Sequence, residues 1–491
     1  MNHLRSLREY VEALRAFGEI QEVDVEVDWN LEMGAIIRRC YELRTPAPLF
    51  NRIKGIEPGF HVLGAPAGVS RKNGLVRIAL SLGLPATATA QEMVEALAAA
   101  HANPPIPPRR VATGPCKENK LLGADVDLMR LPAPLIHDGD GGRYIGTWGT
   151  IIVRTPDGKW INWSITRIML TGRNTMVGGV IPRQHLGMIY AQWKALGKAM
   201  PFALAMGTEP VIPFVAGMPL DENVNEADFI GGYLGKPVDV VDCETVDLQV
   251  PATSEIVIEG SLSANESVWE GPMGEYSGYL NPQGGMPSPV FHVSAITFRS
   301  QPILPVVAAG EPIEENHTCW GLTVSAQILW ELRQASFPVS TCFIPFQSAA
   351  HWLVVTVKRS ALGDGEKLVP ELARLLSRSR SGSFVPKVIL VGDDIDPTNL
   401  DELVWAFATR NHPGRGQQLF PGEKLLPLVA FLTDEERKAA RGTKVIYNCL
   451  PFTDCPSSVA PKRSSFRYSW PQEIQDKVIR NWKQYGFSES V

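Results

Sequence analysis

The sequence predicts a mixed α+β and α/β protein of several domains, with an α/β region at each end and a β-rich region between them. Its 491 residues suggest about three domains at the usual ~150 residues each. Apolar residues recur with the spacing of helices in some segments and with the spacing of strands in others, which predicts a mixture of both. With 44% hydrophobic and 20% charged residues, the composition is that of an ordinary globular protein.

The N-terminal region is predicted to span residues 1–110 and to contain both helices and strands. Apolar residues recur at helical spacing from Leu4 to Leu14, which predicts an amphipathic first helix. Thr89 and Glu92 form a capping box, which predicts the start of an alanine-rich helix. The proline-rich stretch 103–108 cannot continue that helix, so we place the first boundary near residue 110.

The central region, residues 111–315, is predicted to be rich in β-strands. Ile151–Val153 and Trp160–Asn162 flank the turn sequence Pro156-Asp-Gly158, a pattern typical of a β-hairpin. Further strand-like runs separated by glycine and proline turns continue to about residue 300.

The returning strand of that hairpin carries the polar stretch from Asn162 to Arg167. On an ideal strand these two residues point to opposite faces. One pocket can include both only if the chain leaves strand geometry between Ser164 and Thr166. The sequence therefore predicts a bulge or turn there. His185 is predicted to begin the next helix, where backbone amides favour anions.

A linker helix, residues 316–335, is predicted to join the central region to a C-terminal α/β region, residues 336–465. In the C-terminal region the apolar strand Val388–Val391 precedes a helix that Thr398 and Asp401 would cap. This order of strand and helix is typical of α/β folds.

The last segment, residues 466–491, is predicted to be an amphipathic helix that docks on another surface. Pro471 can start the helix, and Ile474, Val478 and Trp482 would share one face. A helix with such a face needs a partner, in its own or a neighbouring subunit.

Composition and charge exclude several classes of protein. The net charge of −5 and the lack of a long like-charge run argue against a nucleic-acid partner. We find no signal core and no apolar stretch of ~20 residues, so we expect a cytoplasmic protein without a membrane partner. The seven scattered cysteines, without a CxxC pair, indicate neither a disulfide framework nor a zinc ribbon.

Asn162, His185 and Glu226 are candidate metal ligands, because an amide, an imidazole and a carboxylate can all bind metal. Each also has an ordinary interpretation. Asn162 fits a strand-end hydrogen bond, His185 a buried helix start, and Glu226 a solvated carboxylate at a helix N-terminus. The spacing alone leaves both interpretations open.

Arg167, Glu270 and Glu275 are candidate catalytic residues. Arg167 follows an apolar run, where a guanidinium is costly unless it meets an anion. Glycine and proline between the two glutamates can form a shaped loop that brings both acids together, and such a pair suits general acid chemistry. A surface arginine and an exposed acidic turn are the alternatives.

Four motifs, in this order, resemble the UbiD family of decarboxylases that use prenylated FMN. They are Asn162-Trp-Ser-Ile-Thr-Arg167, Pro182-Arg-Gln-His185, Pro251-Ala-Thr-Ser-Glu255 and Glu270-Gly-Pro-Met-Gly-Glu275. The resemblance runs through nearly the whole chain and is closest to the ferulic acid and pyrrole-2-carboxylate decarboxylase branch. It implies a central split-barrel flavin-binding domain and a C-terminal oligomerisation domain, as in a homodimer or larger homo-oligomer.

The resemblance also implies the residues that hold the cofactors. A divalent metal, usually Mn²⁺, would bind Asn162, His185 and Glu226 and bridge to the cofactor phosphate. Family members also hold K⁺ in the stretch that contains Ala216 and Met218, although Ala216 replaces a serine of relatives. The residues that match cofactor contacts are Asn162, Ser164, Ile165, Thr166, Arg167, Gln184, His185, Glu226 and Arg380. Arg380 stands where that branch has a lysine.

By the same resemblance, Arg167, Glu270 and Glu275 form the catalytic network of a reversible, non-oxidative decarboxylase. Loss of CO₂ from an sp² carbon needs an electron sink that side chains do not supply, so a cofactor is expected. Glu275 would protonate the carbon, Arg167 would orient the substrate carboxylate and Glu270 would hold the arginine. A flavin prenyltransferase would supply the modified flavin.

Met273, His292 and Phe452 are the residues that we expect to line the substrate slot. An imidazole at His292 suits a ring N–H or ring oxygen, which favours a heteroaromatic acid such as pyrrole-2- or indole-3-carboxylate. Decarboxylation of a cinnamic or ferulic type of acid is the alternative. A third interpretation is a non-catalytic protein that binds flavin and metal.

Overall fold

The computed structural model confirms a mixed α/β chain in which helices link several separate sheets. It describes residues 3–282, 284–358, 360–361, 365–450 and 463–488. Within those residues, none of the helices has the length and apolar character that crossing a membrane requires.

The N-terminal region packs helices on a small sheet. Its elements are α1 (Leu7–Ala16), β1 (Ile20–Val27), α2 (Glu32–Leu43), β2 (Ala47–Ile53), β3 (His61–Gly64), α3 (Val76–Ser81) and α4 (Ala90–Ala99). Helix α1 buries Leu7, Val11 and Leu14, as the helical spacing predicted. The capping box of Thr89 and Glu92 precedes α4, also as predicted.

The central region is built on a largely antiparallel sheet. Its elements are β4 (Arg109–Arg110), β5 (Asn119–Leu122), β6 (Tyr144–Ile145), β7 (Gly149–Arg154), β8 (Ile161–Ser164), β9 (Ile168–Leu170), β10 (Thr175–Gly178), α5 (His185–Ala195), β11 (Met200–Met206), α6 (Val211–Ala216), α7 (Glu226–Leu234), β12 (Asp239–Asp242), β13 (Gln249–Pro251), β14 (Ile256–Glu270), β15 (Met286–Phe298) and β16 (Ile303–Val306). In the described residues the main sheet has the order β6-β9-β10-β15-β14-β11-β7-β8, and β5 pairs with β15. Strand β16 instead completes the N-terminal sheet beside β3, and β12 lies between β13 and β4.

Both faces of the main sheet are buried at its strands β7 and β11. Along β7, Ile152 packs into one hydrophobic cluster, whereas Ile151 and Val153 pack into another. In β11, Ala205 packs into the cluster that contains Ile152, and Leu204 packs into the other. Because side chains alternate along a strand, this division shows that the sheet lies between two cores.

A long buried helix, α8 (Glu315–Gln334), leaves the central region. It packs against α4 and against β17 (Val339–Phe343), so it contacts both terminal regions. At its start, Glu315 accepts hydrogen bonds from the Tyr41 hydroxyl and from Ala67 N, the latter at 2.8 Å. A buried carboxyl thus ties α8 to the N-terminal region.

We predict that Glu315 makes stability decline as the pH rises from about 5 to 7. Burial, with nearby Glu314, raises the pKa of Glu315 from 4.5 to about 7. Between these values the folded protein binds more protons than the unfolded chain, so raising the pH favours unfolding. The melting temperature of the wild type should therefore fall by a few degrees relative to Glu315→Gln, measured by calorimetry. Glu12→Gln, at an exposed carboxylate, is the control, and a constant difference would contradict the prediction.

The C-terminal region forms a separate mixed sheet of the order β17-β18-β19-β21-β20 in the described residues. Its further elements are β18 (Trp352–Val357), α9 (Gly365–Arg378), β19 (Lys387–Gly392), α10 (Leu400–Arg410), β20 (Gln417–Lys424), α11 (Asp434–Ala439), β21 (Arg441–Asn448), α12 (Phe466–Ser469) and α13 (Gln472–Arg480). The strand–helix order β19–α10 is as predicted.

Two details at the ends of these helices differ from the expectation. Asn399, rather than Thr398 or Asp401, caps α10, because its side chain accepts from the backbone N–H groups of residues 401 and 402. Thr398 donates to Asp396 instead. Helix α13 ends at Arg480, before the predicted apolar residue at 482.

Candidate active site

The stretch after Asn162 leaves strand geometry where the sequence predicted. Asn162 pairs with Val153 across the hairpin, and β8 ends at Ser164. The next strand begins only at Ile168, so residues 165–167 belong to neither. Without strand alternation in between, Asn162 and Arg167 line the same cavity.

Asn162, His185 and Glu226, here called the donor set, meet at that cavity from β8, α5 and α7. Asn162 Nδ2 lies 2.7 Å from Glu226 Oε1 and 3.4 Å from His185 Nδ1. His185 Nδ1 and Glu226 Oε1 are 3.9 Å apart. The three side chains are thus close enough to share one ion if the asparagine presents its amide oxygen, which here accepts from Ser164 Oγ at 3.0 Å. The described residues contain no metal-type group of three His, Cys, Asp or Glu, because this set includes an amide.

The electrostatics of the donor set also fit a cation. Burial raises the pKa of Glu226 to about 8. Burial, with Arg380 nearby, lowers the pKa of His185 to about 3, so the imidazole is neutral, as a ligand must be. His185 Nε2 is buried and has no hydrogen-bond partner among the described residues. A neutral imidazole, an amide and a buried carboxyl are donors that fit a divalent ion.

The acidic loop between Glu270 and Glu275 turns the chain back toward Arg167. Gly271 has a φ of +94°, where L side chains are strained. A Cβ at Gly274 would lie 2.6 Å from the ring of His137, so only glycine fits there. The predicted shaped loop is therefore present, with both acids near one point.

Arg167 lies between the two glutamates. Its Nε donates to Glu270 Oε1 at 3.0 Å, its Nη2 lies 3.4 Å from Glu270 Oε2, and its Nη1 donates to Glu275 Oε1. Although burial opposes the charge, Glu275 and Glu270 raise the pKa of Arg167 further above its ordinary value. Glu270 is 1% exposed and also accepts from the Tyr144 hydroxyl, whereas Glu275 is 21% exposed. Glu270 is thus locked in place, and Glu275 remains open to the cavity.

Most of the predicted site residues line this one cavity. They are Asn162, Ser164, Ile165, Thr166, Arg167, Gln184, His185, Ala216, Met218, Glu226, Glu270, Met273, Glu275 and Arg380. Arg380 comes from the C-terminal region, and its Nη1 donates to the Leu220 carbonyl at 3.3 Å. The cavity therefore lies between the central and C-terminal regions.

His292 does not line the cavity, so its predicted place in the substrate slot is wrong. It pairs with Glu266, and its side chain is 45% exposed. Its neighbour Phe291 is fully buried, and strand alternation turns His292 to the other face of β15. Phe452 lies outside the described residues.

Sequence reasoning missed several residues that line the cavity. Asn316 and Trp320 come from the first turns of α8, and Phe384 and Leu428 come from the C-terminal region. Asn316 Nδ2 donates to both carboxyl oxygens of Glu314, at 3.2 and 3.0 Å. The only signal in the sequence was the polar run at the start of an otherwise apolar helix.

An arginine held between two carboxylates on a cavity is an arrangement typical of enzymes that bind an anion and move a proton. The family models agree with that class, since all three that match describe domains of 3-octaprenyl-4-hydroxybenzoate carboxy-lyase. They match the N-terminal domain at residues 11–97, the Rift-related domain at 109–312 and the C-terminal domain at 317–449. The chain belongs to the UbiD family and is a carboxy-lyase.

Individual relatives cover nearly the full length of the chain. Pyrrole-2-carboxylic acid decarboxylase of Pseudomonas aeruginosa is 45% identical, over 98% of both chains. Ferulic acid decarboxylase 1 of Saccharomyces cerevisiae is 38% identical, over 99% of both. Among solved structures, the UbiD-class enzyme HmfF of Pelotomaculum thermopropionicum in complex with FMN has a TM-score of 0.80 at 28% identity, covering 94% of this chain and 97% of that one. An evolved dimeric form of HmfF, in complex with prFMN, has a TM-score of 0.78.

Proposed function

We propose that this protein is a reversible, non-oxidative decarboxylase of an aromatic or heteroaromatic carboxylic acid that depends on prenylated FMN. The observation that carries the proposal is the position of Arg167, held between Glu270 and Glu275 on the same cavity as the donor set. Such an arrangement places a carboxylate-binding cation and a proton donor beside a site for a metal-bound phosphate.

The residues around the donor set fit the flavin phosphate and its metal. Asn162, His185 and Glu226 would hold Mn²⁺, with the asparagine presenting its amide oxygen. Arg380 faces the same cavity and is a fixed cation suited to a phosphate. Prenylated FMN supplies the electron sink for the carbon that loses CO₂. HmfF, described in complex with FMN and with prFMN, supports this choice.

A potassium ion belongs to the same proposal. Ala216 and Met218 line the cavity close to the end of α6. Ala216 has no side-chain oxygen, so its contribution would be a backbone carbonyl, a ligand type that hard cations accept.

The catalytic roles follow from exposure and hydrogen bonding. Arg167 would bind the substrate carboxylate through Nη2, whose present contact to Glu270 is the long one at 3.4 Å. Glu270, buried and bonded to Tyr144, would hold the guanidinium in position. Glu275, which is partly exposed, would give its carboxyl proton to the carbon as CO₂ leaves. In the reverse direction it would take up that proton.

We propose a substrate of the pyrrole-2- or indole-3-carboxylate type. The 45% identical relative is named for pyrrole-2-carboxylic acid, which supports this class. With His292 outside the cavity, we assign recognition of a ring N–H to Asn316, which lines it. Its Nδ2 is used by Glu314, whereas no described group donates to its Oδ1, so the amide oxygen is left for a ligand. The 38% identical ferulic acid decarboxylase keeps the cinnamic type as the alternative.

We predict that Asn316→Leu lowers kcat/KM for pyrrole-2-carboxylate by about 5- to 150-fold and affects cinnamate less. A lost hydrogen bond to a buried polar group costs about 1–3 kcal/mol, and cinnamate has no ring N–H to lose. His292→Leu, which changes an exposed residue outside the cavity, is the matched control and should leave both values unchanged. Equal losses for the two acids after Asn316→Leu would contradict the assignment.

A panel of acids tests the proposed function directly. The protein, produced with a flavin prenyltransferase, is incubated with pyrrole-2-carboxylic, indole-3-carboxylic and cinnamic acids, and CO₂ release is measured. We expect the heteroaromatic acids to react fastest. Fast reaction of cinnamate alone would favour the alternative substrate class. Bound prenylated flavin without turnover of any acid would indicate a non-catalytic flavin- and metal-binding protein, which the network around Arg167 argues against.

We extend the proposal to the architecture and the setting of the enzyme. The main central sheet would be the split barrel, and the C-terminal region would form a homodimer or larger homo-oligomer. The apolar side chains of Ile474 and Ile479 on α13 are 39% and 44% exposed, which supports docking of this helix on a partner surface. We also propose a cytoplasmic location, with a flavin prenyltransferase as cofactor supplier.

A further inference from the structure

The backbone of Glu275 is held on both sides by buried side chains from two other segments. Immediately before it, Gly274 N donates to Asp140 Oδ1 at 2.9 Å. Immediately after it, the Tyr276 carbonyl lies 2.6 Å from His317 Nε2. The side chains of Asp140 and His317 are both 0% exposed. We call these contacts the Asp140 clamp and the His317 clamp.

The His317 clamp has a fixed tautomer. A carbonyl can only accept, so His317 Nε2 carries the hydrogen that it donates to Tyr276. The other ring nitrogen, Nδ1, accepts from Glu314 N at 3.0 Å. Burial lowers the pKa of His317 to about 4, in agreement with a neutral ring. With Nε2–H donating and Nδ1 accepting, both ring nitrogens of His317 have backbone partners.

The Asp140 clamp is reinforced by His137. Asp140 Oδ2 accepts from His137 N at 2.9 Å and lies 3.1 Å from His137 Nδ1. His137 Nε2 lies 2.7 Å from the carbonyl of Ala309, which also lines the cavity. Both ring nitrogens of His137 thus face oxygen atoms, so the ring bridges Asp140 and the Ala309 carbonyl. The ring of His137 also packs against Gly274, where a Cβ would lie 2.6 Å from the ring.

We propose that Asp140 and His317 are positioning residues that fix the backbone of Glu275 so that its carboxyl meets Arg167 and the substrate carbon. This inference rests on the proposed role of Glu275 as proton donor. A proton donor must be held within a fraction of an ångström, and a misplacement of about 1 Å can cost about 100-fold in rate. Asp140 and His317 hold the backbone of the two residues that flank the donor and can supply that precision.

The loop keeps other anchors when one clamp is lost. Tyr144 still donates to Glu270, and Gly141 N still donates to the Pro272 carbonyl at 2.7 Å. These contacts hold the start of the loop, whereas the clamps act on Gly274 and Tyr276, on either side of Glu275. Removing a clamp should therefore loosen the proton donor without unfolding the site.

The test compares Asp140→Ala and His317→Phe with the wild type and with two milder variants, Asp140→Asn and His317→Asn. His101→Phe is the matched control. His101 is a partly buried histidine that stacks on Trp330 of α8 at 4.4 Å, and burial lowers its pKa to about 4, but it does not touch the loop. Amide hydrogen exchange of the peptide from Gly274 to Tyr279 is measured on the protein before cofactor loading, and steady-state kinetics after loading.

We expect the two severe variants to show faster exchange in that peptide and a fall in kcat of about 10- to 100-fold, with KM changed by less than about threefold. The solvent deuterium isotope effect on kcat should rise, because proton transfer becomes slower. His317→Asn, which keeps an N–H donor, should recover part of the rate. His101→Phe should match the wild type in each measurement.

Unchanged kcat and isotope effect in variants with faster loop exchange would overturn the inference, as would the same losses in His101→Phe. If a severe variant does not fold, the inference is tested with Asp140→Asn or His317→Asn instead. The same comparison of loop exchange, kcat and isotope effect then applies. If the proposed function fails, the wild type turns over none of the acids; if only the role of Glu275 as proton donor fails, Glu275→Gln is active. In that case faster exchange would still report the clamps, but the kinetic change would be absent.

Discussion

Glu275→Gln is expected to leave no measurable turnover in an enzyme that still folds and still binds its cofactor. A positioned general acid contributes about 10²- to 10⁴-fold to a rate, and a glutamine has no proton of suitable acidity to give. The amide oxygen can still accept the hydrogen bond from Arg167 Nη1 that Glu275 accepts now. The measurement is kcat with pyrrole-2-carboxylate, together with the absorbance of the bound flavin.

Glu266→Gln provides the matched control for that variant. Glu266 lies near Glu270 in the same strand, but it is 58% exposed and pairs with His292, away from the cavity. Its substitution should leave kcat within about twofold of the wild type. Activity in Glu275→Gln above about a tenth of the wild-type value would remove Glu275 as the acid.

Arg167→Met is expected to abolish activity and also to destabilise the protein. Glu270 is 1% exposed, and Arg167 provides its charged partner. Among the residues that the structure describes, the substitution leaves this buried carboxylate with only the Tyr144 hydroxyl. Breaking a buried ion pair from one side costs about 3–5 kcal/mol. The melting temperature should fall by several degrees, while the substrate carboxylate loses its binding group.

A second substitution separates the two effects of Arg167→Met. Adding Glu270→Gln removes the unpaired charge, so the double variant should recover most of the melting temperature but no activity. Arg154→Met is the control, because Arg154 has similar side-chain exposure, 27% against 24%, but pairs with the exposed Asp247. A stable Arg167→Met protein with turnover would contradict both the ion pair and the catalytic assignment.

The local parts of the site could be predicted from the sequence. The hairpin, the helix start at His185 and the turn of glycines after Glu270 all depend on patterns within a few residues. The break after Ser164 could also be predicted, because strand alternation otherwise separates Asn162 from Arg167. These predictions needed only the geometry of a single element.

The rest could not be predicted because it depends on contacts between distant segments. His292 has the right chemistry for a ring N–H, but the register of β15 turns it toward Glu266 and solvent. Asn316 and His317 lie at the start of α8, and only the packing of that helix brings them to the cavity and to the acidic loop. Periodicity does not reveal such tertiary placement.

One measurement tests the central claim most directly, namely CO₂ release from pyrrole-2-carboxylate by protein made with and without a flavin prenyltransferase. Mass spectrometry of the bound flavin accompanies each assay. We expect turnover only in the protein that carries the prenylated flavin, because the side chains around Arg167 can bind the acid and supply a proton but provide no electron sink. Equal CO₂ release by protein that holds no modified flavin would contradict the mechanism.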